Sequence, residues 1–73
     1  MRANLLSAKQ QGVVATIEEG PYSTRLMSLG IRKGAIIQKL RSTTGGGILF
    51  RVEDHRVVLH KNLAASIEVR EEI

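Results

Sequence analysis

Hydrophobic and polar residues alternate in short segments along most of the chain, and turn-forming residues separate these segments. This pattern is typical of strands that bury one face. Five strands are predicted, over residues 13–18, 35–41, 48–52, 56–60 and 67–70. The third and fourth strands are expected to pair as a hairpin through a turn at Glu53-Asp54-His55. A flexible loop, which contains Gly45-Gly46-Gly47, is predicted before the third strand.

Helical signals occur in three places. The strongest covers residues 22–29, because Tyr22, Leu26 and Leu29 share one stripe of a 3.6-residue period. Proline at position 21 suits a first helical turn, and Gly30 is expected to end the helix. This pattern places Tyr22 on the buried side. Single helical turns are predicted over residues 7–11, where Ser7 can cap the start and Gly12 can end the turn, and over residues 61–65.

The chain has 73 residues, and we expect one domain over residues 1–73. A chain this short buries about 60% of the surface that its unfolded form exposes. Because Tyr22 and Phe50 are its only aromatic residues, aliphatic side chains must form the core. Closing a small sheet removes its exposed edges. We therefore predict a mainly β fold, a small barrel of about five strands with a short helix between strands 1 and 2.

Cysteine is absent, which excludes a thiolate nucleophile, a Cys-based metal site and a disulfide scaffold. The apolar runs are far shorter than the ~20 residues that a membrane span requires. The N-terminal residues lack the apolar stretch of a signal peptide. We therefore expect a cytoplasmic protein that is at most peripheral to a membrane. Because the hydrophobic residues can fill a small barrel and little else, we expect no deep pocket and no buried cofactor.

Eleven Lys and Arg residues against seven Asp and Glu residues give a net charge of +4. Residues 25–61 carry the excess, with eight basic side chains and two acidic ones. Such a balance favours an acidic partner, a nucleic acid or an anionic membrane surface. Barrels that bind nucleic acid usually add aromatic stacking platforms. With two aromatic residues available, no nucleic-acid partner is expected, although a basic nucleic-acid-binding barrel stays open as an alternative.

Several short motifs follow one another in a fixed order from Leu5 to Val69. They comprise Arg25-Leu26, Leu29-Gly30-Ile31, Gly34, Ile36, Gly46-Gly47-Ile48, Val57-Val58-Leu59-His60-Lys61, Ala64 and Ile67-Glu68-Val69. This set resembles the FeoA family, the small ferrous iron transport protein A. Two departures concern glycine and proline: Asp54 stands where the family commonly has glycine at a hairpin tip, and Gly47 or Ile48 stands where it often has proline.

The resemblance implies an SH3-like β-barrel with a helix between its first two strands. It also implies a non-enzymatic accessory protein that docks on the cytoplasmic GTP-binding part of a FeoB-type membrane transporter and modulates ferrous iron uptake. Similar domains also occur as the last domain of iron-dependent repressors of the diphtheria-toxin-repressor type. Because no DNA-binding helices are attached here, the stand-alone form is expected.

Docking is expected through a shallow apolar groove with a basic rim between helix and barrel. The candidate partner-binding residues are Arg25, Met27, Arg32, Lys33, Gly45, Gly46 and Gly47. Solvated, solubilising side chains are the alternative interpretation of the three basic residues. The three glycines lack the lysine and hydroxyl residue that follow in a phosphate-binding loop, so a flexible loop is expected there.

His55 and His60 are weak candidates for metal binding. Their odd separation places them on opposite faces of a strand, so they cannot share one ion within an extended segment. We expect both at the rim of the barrel, exposed, with at most weak binding of Fe²⁺ or another divalent transition metal. A transition-metal-sensing domain is the main alternative function. An enzyme is not expected, because no nucleophile and base are predicted to lie together.

Overall fold

A computed structural model describes residues 1–71. Its strands are β1 (Gln11–Ile17), β2 (Ile36–Ser42), β3 (Gly47–Val52), β4 (His55–His60) and β5 (Ile67–Glu71). Its helices are α1 (Ser23–Ser28) and α2 (Lys61–Ala64), and short 3-10 turns form at Ala3–Leu5 and Thr44–Gly46. None of the helices within this part of the chain is long and apolar enough to cross a membrane.

The five strands form one antiparallel sheet in the order β4-β3-β2-β1-β5. The predicted mainly β fold of five strands is therefore confirmed. Alternation decides which side chains are buried, as β3 shows: Ile48, Phe50 and Val52 point into the core, while Arg51 is exposed. Irregular pairing in β1 after Val14, and in β2 after Lys39, marks bulges, which bend strands and increase their twist.

The sheet is not closed into the predicted barrel. Strands β4 and β5 form its two edges and do not pair with each other. The segment that joins these edges folds as α2, whose Ala64 is fully buried. The chain therefore passes from one edge of the sheet to the other through a buried helical turn, and β4 and β5 form no ladder of main-chain hydrogen bonds with each other.

Helix placement also differs from the prediction at the N-terminus. The helical turn lies at Ala3–Leu5, because Ala3 and Leu6 are both buried in the core. Residues 7–10 form a turn instead, closed by the Gln10 N–H, which donates to the Ser7 carbonyl oxygen at 2.9 Å. Gly12, predicted to end a helix, lies in β1, where a Cβ would stand 2.7 Å from the Arg70 carbonyl oxygen of β5.

Tyr22 is not buried as predicted, since 39% of its surface is exposed. The helix begins at Ser23 and ends at Ser28, so Tyr22 precedes it rather than lying on its stripe. Of the predicted stripe, Leu26 is fully buried and Leu29 packs partly buried against the core.

Candidate functional site along strand β4

A surface groove of about 460 Å³ runs along β4, between this strand and the two helices. Its lining residues come from α1 and the residue after it, from β4 and from α2: Arg25, Leu29, Arg56, Val57, Val58, Leu59, His60 and Leu63. Five of the eight are aliphatic, two are arginines and none is acidic. The groove thus combines an apolar floor with basic side chains at its rim.

The position of α1 beside β4 follows from its short, sharply ended sequence. Leu26 anchors the helix in the core, and its carbonyl oxygen accepts a hydrogen bond from the Ile31 N–H at 3.1 Å. Gly30 adopts φ +85°, the left-handed conformation that commonly ends a helix. Gly30 therefore redirects the chain after the helix, as predicted. Arg25 lies on the side of α1 that lines the groove.

His55 joins the start of β4 to the end of α1. Its Nε2 lies 2.9 Å from the main-chain oxygen of Leu29, so this nitrogen carries the proton and donates it. The ring also packs against Gly30, where an added Cβ would meet the ring Cε1 at 3.1 Å. The contact fixes one end of the groove.

His60 performs a similar task at the other end of β4. Its Nδ1 accepts a hydrogen bond from the Asn62 N–H at 3.2 Å and so caps the N-terminus of α2. The same ring lies against Gly46, where a Cβ would stand 3.1 Å from Nε2 and where φ is +81°. An acceptor at Nδ1 requires the tautomer with its proton on Nε2.

The histidines do not fit a shared metal site. Each has one ring nitrogen engaged with the main chain, which leaves Nδ1 of His55 and Nε2 of His60. The carboxylate nearest His55 belongs to Asp54, at 3.7 Å from Nδ1. Residues 1–71 contain no group of three or more His, Asp or Glu side chains placed to hold one ion.

The two edges of the sheet differ in how they are covered. The N-terminal residues lie on β5: the Val69 N–H donates to the Met1 carbonyl oxygen at 2.7 Å, and Arg2 bridges to Glu68. The Met1 ammonium donates to the Glu68 carboxylate at 2.7 Å. This hydrogen bond, with the charges of the ammonium and of Arg2, lowers the pKa of Glu68 despite the opposing effect of desolvation.

A basic patch lies on the outer face of the sheet, next to the groove. Lys9, Arg41, Arg51 and Arg56 line a depression of about 330 Å³ together with Gln38, Leu40 and Leu49. Arg51 and Arg56 are direct cross-strand partners, a like-charge pair that disfavours the sheet. The excess charge predicted for residues 25–61 is therefore partly concentrated on one face, beside β4.

The predicted partner-binding residues do not form one cluster. Arg25 lines the groove, and Gly46 and Gly47 adjoin the end of β4. Met27, Arg32, Lys33 and Gly45 are exposed but do not line the groove. The residues that the sequence interpretation missed are Arg56, Val58 and Leu63. The hairpin and the arginine close to its turn were visible in the sequence, but the position of that hairpin at a sheet edge was not.

Comparison with known proteins places these features in a family. The family model described as "FeoA domain" matches residues 1–71. Among curated proteins, none matches the chain significantly by sequence. A crystal structure described as an iron uptake regulatory protein (FeoA) is 30% identical, has a TM-score of 0.88, and is matched over 99% of this chain and 96% of its own.

Two further structures have the same fold. The solution structure of a FeoA protein from Chlorobium tepidum is 27% identical, with a TM-score of 0.87 and coverage of 97% of this chain and 70% of its own. A FeoA from Stenotrophomonas maltophilia, solved with zinc and described as a procaryotic SH3 domain protein, is 24% identical. It has a TM-score of 0.82 and is matched over 96% of this chain and 89% of its own. At that identity it shows an SH3-like fold and nothing further.

Proposed function

The chain belongs to the FeoA family, and from this we propose that it is a non-enzymatic cytoplasmic accessory protein of ferrous iron uptake that docks on the GTP-binding part of a FeoB-type membrane transporter. The observation that carries the proposal is the family match across residues 1–71. It is supported by the 30% identity to a protein described as an iron uptake regulatory protein. In this proposal, ferrous iron is the cargo of the transporter and not a cofactor of the chain.

Surface complementarity is the proposed mechanism. The groove along β4 offers exposed aliphatic area at Val58, 60% of whose surface is accessible, and Arg25 and Arg56 stand at its rim. A partner with an acidic face would be steered by these charges and by Arg32 and Lys33, which are exposed in the connection between α1 and β2. Docking would then change the conformational equilibrium of the GTP-binding part, and with it iron uptake.

The test is a calorimetric titration of the chain into the purified GTP-binding domain of a FeoB-type transporter from the same organism. Binding that weakens as ionic strength rises is expected, because charge pairs at a rim are screened by salt. Arg32→Glu and Lys33→Glu should each weaken binding several-fold. Arg70→Glu is the matched control, since Arg70 is equally basic and exposed but lies on β5.

Unchanged affinity in Arg32→Glu and Lys33→Glu would remove these two side chains from the interface. Absence of any binding by the unaltered chain, with the transporter domain loaded with GDP or with a GTP analogue, would contradict the proposed function itself. A transport assay with and without the chain then measures whether docking raises or lowers iron uptake.

A further inference from the structure

We propose that β4 accepts an extended, acidic peptide segment as a sixth strand, which lies in the groove and pairs with the free edge of the sheet. Strand addition of this kind obtains affinity from main-chain hydrogen bonds and specificity from alternate side chains. The inference rests on the proposed function only for the identity of the protein that supplies the segment. The geometry of the pairing is argued from residues of this chain alone.

The hydrogen bonds of the hairpin show which main-chain groups of β4 point outward. The Glu53 N–H donates to the Ile36 carbonyl oxygen at 2.9 Å, so Glu53 faces β2. Main-chain groups alternate in direction along an antiparallel strand, so Val52 faces β4, where it is paired with His55. The same alternation turns the N–H and C=O groups of Arg56 and Val58 away from β3, towards the groove.

These outward groups have no hydrogen-bond partner within residues 1–71: none of the main-chain or side-chain bonds outside the β3–β4 ladder involves the N–H or C=O of Arg56 or Val58. The opposite edge is different, because Met1 and Arg2 cover β5. An exposed edge strand is a template for pairing with another chain, and proteins usually cover or shorten such edges. Here one edge is covered and the other is open beside a groove.

The groove determines the chemistry of the incoming segment. A strand paired with β4 would lie about 4.8 Å from it, which is on the groove floor. Side chains on its inner face would contact Leu29 and Leu63, so they should be aliphatic. Side chains on its outer face would approach Arg25 and Arg56, and no acidic side chain lines the groove to neutralise these arginines. The outer side chains of the segment should therefore be carboxylates. Alternating aliphatic and acidic residues meet both requirements.

The probe is a capped pentapeptide of alternating valine and aspartate, titrated into the ¹⁵N-labelled full chain. The expected result is saturable shifts of the amide signals of Arg56 and Val58, with slower hydrogen exchange at both, and smaller shifts at Leu29 and Leu63. A valine–lysine peptide of the same length is the control for charge. The same valine–aspartate peptide with alternate amides N-methylated is the control for main-chain pairing, and it should not bind.

Two variants separate the main chain of Val58 from its side chain. Val58→Pro removes the outward N–H but no ladder hydrogen bond, and proline is tolerated on edge strands where its nitrogen faces solvent. It should weaken peptide binding about tenfold, the effect of roughly one main-chain hydrogen bond. Val58→Ala keeps the N–H and loses only apolar side-chain contact in the groove, so it should weaken peptide binding less than Val58→Pro does. If Val58→Pro does not fold, the N-methylated peptide decides the question with the unaltered chain.

Equal binding of the methylated and unmethylated peptides, or shifts that avoid β4, would overturn the proposal. Concentration-dependent dimerisation that protects the amides of Arg56 and Val58 without peptide would also overturn it, since a second copy would then occupy the edge. The transporter domain is titrated in parallel. Binding of that domain without shifts in β4 would refute strand addition and leave the proposed function intact, whereas peptide addition without domain binding would do the reverse.

Discussion

The imidazole Nε2 of His55 lies 2.9 Å from the main-chain oxygen of Leu29, and this hydrogen bond joins the β3–β4 hairpin to the end of α1. Leu29 lines the groove along β4, and His55 is the first residue of that strand. Their contact spans 26 positions in sequence, so it holds the end of α1 against the start of β4 in a way that no local interaction could.

Replacement of His55 with alanine should destabilise the fold by about 0.5–1.5 kcal/mol, the usual contribution of one hydrogen bond. The loss should fall near the lower end, because 44% of this side chain is exposed and water can replace it. Urea denaturation of both chains measures the difference. Asp54→Ala is the control, since the Asp54 side chain is fully exposed and 3.7 Å from the ring. Equal losses in the two variants would contradict the role assigned to the imidazole.

Gly30→Ala should cost about 1–3 kcal/mol, because a side chain at φ +85° is strained and its Cβ would press on the His55 ring at 3.1 Å. Gly20→Ala is the control, since a Cβ there meets nothing within 4 Å and φ is not positive. In the double variant with His55→Ala, the total loss should be smaller than the sum of the single losses. Strict additivity in urea denaturation would show that ring and glycine do not interact.

The strands were predictable because each carries its own alternation, and all five were found within one or two residues of their observed bounds. The errors arose where tertiary burial outweighed a local signal. A serine and a glycine predicted a capped helical turn at residues 7–11, but burial of Ala3 and Leu6 moved the turn towards the N-terminus. Closure failed for the same reason: burial of Ala64 in α2 connects the edges of the sheet without pairing them.

Less of the site was predictable. The sequence indicated an apolar groove with a basic rim and Arg25 as one of its contacts. It could not show that His55 and His60 rest on Gly30 and Gly46, because these partners are distant in sequence. The hairpin turn was predicted, but the sequence did not indicate that Glu53 adopts the positive φ of 54° there.

His60→Ala should destabilise the fold by about 0.5–2 kcal/mol through loss of the α2 N-cap. His60→Asn should recover most of this, because asparagine is among the best N-capping residues and its side-chain oxygen can accept from the same N–H. Thermal unfolding of the three chains checks the order. If asparagine is no better than alanine, the histidine acts by packing on Gly46 and not by capping.

Glu68 should give the fold a stability that depends on pH. Its pKa lies below the ordinary 4.5 in the folded chain, mainly through the hydrogen bond from the Met1 ammonium. A lowered folded-state pKa stabilises the fold at pH values above the unfolded-state pKa, and this contribution is lost as the pH falls through the folded-state pKa. The unaltered chain should therefore exceed Glu68→Gln in urea midpoint at pH 7, with the difference disappearing in acid.

Glu19→Gln is the matched control for this titration, because Glu19 is exposed and forms no ion pair within residues 1–71. At pH 7 its stability should lie within about 0.5 kcal/mol of that of the unaltered chain. High salt should reduce the Glu68 effect, since the pair is exposed and screened. A Glu68→Gln difference that persists unchanged in acid would contradict the assigned ion pair.

Phe50 should be the costliest single truncation in the chain. It is the only aromatic residue in the core, it is fully buried, and it sits on the central part of β3. Replacement of a buried Phe with alanine typically costs about 3–5 kcal/mol. A domain of 73 residues has roughly 4–11 kcal/mol of total stability at 0.05–0.15 kcal/mol per residue. The variant should therefore be partly unfolded at 37 °C, which circular dichroism and amide spectra measure.

Phe50→Leu and Val58→Ala separate the loss of core volume from the loss of any side chain on the hairpin. Leucine retains most of the apolar volume, so Phe50→Leu should remain folded with a smaller loss. Val58 is paired with Leu49, the residue before Phe50 on β3, but 60% of the surface of Val58 is exposed. Its truncation should therefore change stability by about 0.5 kcal/mol or less. If Phe50→Ala and Val58→Ala had the same melting temperature, Phe50 would contribute no more to stability than an exposed side chain. That result would contradict the central role assigned to Phe50 in the core.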